Sequence, residues 1–173
     1  MAKKGKNDGP IEVSFESAEM RKTKEGRVVM LKLEIGLDLA TCKRLPTPIF
    51  EDFSVMRDPM NAADQIKLSS RWGSLVAAFR ATPTSKQDLH LSDVIAQDLM
   101  LKKVKTAVLL KLTLVAPLVP GTVTWASKNF KSTVFMDLDT QQLELLPVDD
   151  EDDKPEKKEE KKPDEQKKLE LVH

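Results

Sequence analysis

For proton transfer or nucleophilic attack, this chain of 173 residues offers two histidines, one cysteine and no tyrosine. His173 is the terminal residue and His90 stands in a polar stretch, so a His-centred triad cannot be assembled with a histidine to spare. Cys42 lies beside Lys43 and Arg44, cations that would lower a thiol pKa, yet neither a second cysteine nor an identifiable base accompanies it. Gly5, Gly26, Gly36, Gly73 and Gly121 stand apart from one another, so there is no glycine-rich phosphate loop. Acid pairs such as Glu51-Asp52 read as surface charge. The chain is therefore expected not to be an enzyme and to carry no cofactor and no metal.

The residues that could bind are the basic ones, which occur in three groups. Arg21, Lys22, Lys24 and Arg27 fall in one short polar segment. Lys103, Lys105 and Lys111 occupy one side of an alternating stretch, and Lys128 and Lys131 are interleaved with Trp125 and Phe130. Lysines that follow phosphates, combined with rings on which bases stack, are what a single-strand binder needs; each stacked base contributes about 1–3 kcal/mol. The expected nucleic-acid-binding set is Lys22, Lys24, Arg27, Lys103, Lys105, Lys111, Trp125, Lys128, Phe130 and Lys131. The competing reading folds Phe130 back onto a sheet edge that its lysines keep soluble.

Lys+Arg and Asp+Glu balance at 28 each, but not locally. Residues 148–173 hold eleven acidic and seven basic residues, leaving 17 acidic and 21 basic in residues 1–147. A mildly basic body with an acidic tail suggests a polyanion-binding surface and a tail able to compete for it. One cysteine excludes an intrachain disulfide, and the N-terminus shows charge with no signal-like apolar run. These features lead to the expectation of a cytoplasmic protein, of an infected host cell if viral, with no membrane partner.

Elements that would position the basic groups follow from hydropathy period. Val104, Thr106, Val108, Leu110, Leu112 and Leu114 are almost wholly apolar, with Lys103, Lys105 and Lys111 on the alternate side, predicting a long half-buried strand over 103–115. Ile11, Val13 and Phe15, then Val29, Leu31, Leu33, Ile35 and Leu37, predict a hairpin with Gly26 in its turn. Asp58-Pro59 reads as a helix start, followed by Ile66, Trp72, Leu75, Val76 and Phe79 at helical spacing. Residues 92–98 read as a short capped helix, and 122–126, 133–138 and 143–146 as strands. For residues 49–55 the pattern leaves a short strand or an irregular cover open. The expected fold is α+β or mainly β: an antiparallel sheet or small OB-like barrel of five to six strands with one main amphipathic helix. Residues 1–10 form a flexible basic arm, 11–147 one domain, and 148–173 a disordered Lys/Glu/Asp-rich tail.

The segment Val13-Ser14-Phe15-Glu16-Ser17-Ala18-Glu19-Met20-Arg21-Lys22-Thr23-Lys24-Glu25-Gly26, followed by Leu31-Lys32-Leu33-Glu34-Ile35, resembles the opening of small phage-type OB-fold single-stranded DNA-binding proteins. A Ser-Ala-Glu, Lys-Thr-Lys, Gly hairpin is common in that group, and the acidic tail is similar too. The tail departs in being diluted by lysines and in ending Leu169-Glu170-Leu171-Val172-His173. The resemblance implies sequence-tolerant protection of single strands in replication or recombination, with a protein partner recruited through the tail. The alternative is a viral or phage assembly or host-interaction protein that self-associates through its sheet edges as a homo-oligomer.

Overall fold

A computed structural model describes residues 9–46 and 49–140; residues 1–8 of the expected arm over 1–10, the strand at 143–146 and the tail at 148–173 lie outside the described residues. In chain order the elements are β1 (Ile11–Thr23), β2 (Gly26–Leu37), α1 (Leu39–Cys42), α2 (Phe50–Arg57), β3 (Gln65–Lys67), β4 (Trp72–Arg80), β5 (Leu89–Val104), β6 (Ala107–Pro117), α3 (Thr122–Asn129) and β7 (Thr133–Thr140).

Ile11, Val13 and Phe15 of β1 and Val29, Leu31, Leu33 and Ile35 of β2 are buried, as period-two alternation requires of strands with one face on a core. The two strands form the expected hairpin, paired from Ser14↔Glu34 to Thr23↔Gly26. Its turn is only Lys24-Glu25, closed by Gly26 at φ +138°, a backbone region open mainly to glycine. β6 pairs along β2 from Val28↔Pro117 to Leu37↔Val108. Its even residues Val108, Leu110, Leu112, Leu114 and Ala116 face the core.

The order β5-β4-β7-β1-β2-β6 closes on itself through β5–β6, giving a six-stranded antiparallel barrel, with β3 pairing the same edge of β5 as β4 does, beyond the end of β4. Closure leaves no edge around most of the wall. The mainly β, OB-like expectation is therefore the architecture observed, with six strands in the barrel and short helices around it.

Four local expectations are corrected. Residues 58–79 are not a helix. Asp58 instead follows α2 and accepts the Met60 N–H (2.8 Å), forming a turn at Pro59, and β3 and β4 come next. In β4 the ladder shifts between Trp72 and Leu75, with Ser74 at φ +54°, so burial passes from Trp72 to Leu75, Ala77 and Phe79. That bulge puts a three-residue step into a two-residue period and so imitates helical spacing. Residues 92–98 belong to β5, whose irregularities fall near Asp93 (φ +53°) and Asp98 (φ +56°). The expected long strand is interrupted at Lys105-Thr106, where Lys105 has φ +54° and the chain turns from β5 into β6. Finally, residues 122–126 are the start of α3, not a strand.

Candidate nucleic-acid interface

Gly121 (φ +85°) turns the chain into α3, and the Thr122 hydroxyl donates to the Val119 carbonyl (2.8 Å) at its start. The helix closes one end of the barrel. Trp125 projects inward, its ring 5.1 Å from Phe15 and 4.9 Å from Phe79, centroid to centroid. At 6% exposure it offers no face to a base. Its expected stacking role is thereby corrected: Val-Thr-Trp has the composition of a strand, but a large ring was needed to fill the barrel mouth.

Past α3 the backbone is pinned. Asn129 donates from its side chain to the Trp125 carbonyl (2.9 Å), Ser132 Oγ donates to the Asn129 carbonyl (2.6 Å), and the Phe15 N–H donates to the Ser132 carbonyl (2.9 Å). Between these anchors Phe130 points outward, 55% exposed, with the Lys131 ammonium 5.4 Å from its ring centroid. Phe130 does not fold back onto a sheet edge.

Facing it is the outer half of the β1–β2 hairpin. β7 pairs with β1 only through Ser14↔Thr133, so the hairpin continues beyond that point. A bulge between Phe15 and Ser17 shifts the phase of β1, placing Ala18 opposite Leu31, Met20 opposite Val29 and Lys22 opposite Arg27. These residues extend the inner face of the wall past the barrel mouth. Ala18, Met20 and Val29 on one side and Val123, Ala126 and Phe130 on the other enclose a groove of about 370 Å³. Met20 and Val123 are 55% and 49% exposed. An open apolar cleft with a free ring is suited to a flat apolar ligand.

Charge is arranged around this groove. Lys22 and Arg27 form a cross-strand pair on the same face just beyond Met20, and Lys24 caps the hairpin. Lys128 and Lys131 flank Phe130. Five of the expected basic residues thus lie at the same end of the barrel as Phe130, Lys131 against its ring and Lys22, Lys24 and Arg27 on the outer part of the facing hairpin.

The other three do not join them. β6 runs antiparallel to β2, so the β5–β6 turn carrying Lys105 lies by Leu37, the end of β2 remote from the Thr23–Gly26 turn. Val28 to Leu37 spans roughly 30 Å of strand. Lys103 donates to the Asp58 carbonyl (3.4 Å), and Lys111 is paired with Glu34 (3.1 Å) on the wall. The expected basic strand face is therefore partly neutralised and remote from the groove.

Sequence reasoning missed Ala18, Met20, Val123 and Ala126. An isolated apolar Met20 within a polar hairpin was the available signal. Elsewhere, burial pushes the Cys42 thiol pKa up and the Asp38 carboxylate adds to the effect, the reverse of what Lys43 and Arg44 suggested. His90 lines a second, larger cleft of about 830 Å³ with Lys43, Arg44, Arg80, Asp137 and Asp139, where Arg80 is ion-paired with Asp137. Asp137 and Asp139 stand among its cations, and Asp137 already occupies Arg80. Among the described residues no helix is long and apolar enough to cross a membrane. No protein-family model, curated protein or solved structure matches the chain.

Proposed function

We propose that this protein binds single-stranded nucleic acid, DNA in the first instance, with little regard to sequence, in the groove between α3 and the projecting β1–β2 hairpin. The observation that carries the reading is Phe130, a ring held out into solvent beside an apolar groove, with Lys128 and Lys131 close to it in sequence and Lys22, Lys24 and Arg27 at the outer end of the hairpin that forms the opposite wall. Bases would stack on Phe130 and lie against Met20 and Val123, while the five cations follow the phosphates. A stacking ring accepts any base, and lysines read charge only, so the recognition is sequence-tolerant. The role that follows is covering exposed single strands during replication or recombination.

Fluorescence anisotropy of a labelled single-stranded oligonucleotide tests this reading. Five phosphate contacts give a slope of about −3.5 in log K against log salt, so affinity should fall roughly 100-fold between about 50 and 200 mM salt. Absence of binding at the lower salt overturns the proposal. The assembly reading has its own support in a stretch of β1 whose second edge has no partner strand among the described residues.

A further inference from the structure

β1 is joined to β7 only as far as Ser14, so from Ser17 to Thr23 its second edge has no partner strand among the described residues. The direction of its backbone groups follows from one hydrogen bond. The Leu118 N–H donates to the Arg27 carbonyl (3.0 Å), so Arg27 turns its peptide groups toward β6. Alternation along the ladder then aims Val28 and Arg21 at each other and sends the N–H and C=O of Ala18, Met20 and Lys22 out to the open edge. An exposed row of this kind is a template for another strand.

We propose that this edge pairs antiparallel with the same edge of a second copy, about a two-fold axis passing through Met20. A two-fold normal to the sheet keeps side-chain faces matched, and the sequence is self-complementary in that register. Met20 meets the partner's Met20. Glu19 faces the partner's Arg21, and Arg21 faces the partner's Glu19. Ala18 faces the partner's Lys22, and Ser17 the partner's Thr23, with Glu16 and Lys24 of opposite charge at the two ends. Registers centred one residue to either side put Glu19 against the partner's Glu19, or Arg21 against the partner's Arg21, directly opposed like charges that destabilise a sheet.

Within one chain Glu19 is already 2.9 Å from Arg21. The two-fold would therefore assemble four charges alternating in sign on the outer face, while the two Met20 side chains come side by side on the inner one and keep the groove face of each open. This is an isologous contact and closes as a dimer. It holds whether or not the groove binds nucleic acid.

Sedimentation velocity of the full chain over a range of concentrations reads the outcome. The wild-type protein is expected at twice the 19.4 kDa chain mass. Glu19→Lys and Arg21→Glu should each weaken self-association by about tenfold or more, because each sets like charges opposite one another twice. The two variants mixed, or both substitutions in one chain, should associate again, since every opposed pair is then of opposite sign. Met20→Pro removes an N–H that no strand of the same chain uses and should give a folded monomer by circular dichroism. A wild-type monomer at all concentrations, dimers unaffected by either charge change, or failure of the mixture to associate would each overturn the proposal.

Discussion

Replacing Trp125 by alanine distinguishes a ring that builds the barrel from one that binds a ligand. The indole lies between Phe15 and Phe79 with centroids 5.1 and 4.9 Å away, and only 6% of the residue is exposed. Truncating a buried aromatic side chain of this size costs about 3–5 kcal/mol, a large part of the roughly 5–15 kcal/mol that holds a domain folded. For a chain of this length the loss corresponds to a fall in Tm of roughly 6–20 °C. The indole N–H is buried without an acceptor, so Trp125→Phe, which removes that group and keeps a ring, should lose much less. Urea unfolding followed by far-UV circular dichroism gives the midpoint without relying on tryptophan fluorescence. The reasoning is refuted if Trp125→Ala stays within about 1 kcal/mol of wild type, the range of a surface substitution.

Phe130→Ala should show the opposite profile: stability within about 0.5 kcal/mol of wild type, but single-strand affinity reduced about 5- to 150-fold, the equivalent of 1–3 kcal/mol. Lys22→Ala with Arg27→Ala should flatten the salt slope by about 1.4 if both contact phosphate, whereas Lys103→Ala with Lys105→Ala should leave it unchanged in the same titration. Asp38 accepts the Thr41 N–H (2.6 Å) at the start of α1, and that bond holds its carboxyl below the usual carboxylate range. A lowered folded pKa stabilises above the unfolded value, about 3.9, and the benefit is lost as pH falls through the folded value. Asp38→Ala should therefore cost about 1 kcal/mol near neutrality, and its difference from wild type should shrink in unfolding curves recorded below about pH 4.

Alternation was legible wherever a strand ran without interruption. Ile11 to Phe15, Val29 to Ile35 and Val134 to Leu138 all bury the residues their period selects. It failed in β4 and β5 because barrel strands must bend, and the irregularities near Ser74, Asp93 and Asp98 do the bending at residues with positive φ. Each inserts a residue into the period; aspartate tolerates positive φ, but its presence alone does not mark a bulge. The opposite error arose at Thr122-Val123-Thr124-Trp125, where strand-forming side chains build a helix because the open barrel end required Trp125 there.

The candidate site was half legible for a related reason. Its charges can be counted in the sequence, but which of them meet depends on which end of the barrel each turn occupies. The antiparallel pairing of β2 with β6 sends Lys105 one way and Lys24 the other. Phe130 was identifiable because its flanking lysines left it no apolar neighbour in sequence. Met20 went unnoticed because only the phase change after Phe15 turns it toward α3.

The most direct measurement of the central claim is photochemical cross-linking of the full-length protein to an oligodeoxythymidylate, followed by mass spectrometry of the joined peptides. The account predicts cross-links at Phe130, with others confined to the Met20–Arg27 hairpin and α3, all lost as salt is raised. Cross-links centred on Lys103 to Lys111, or none at low salt, would contradict it.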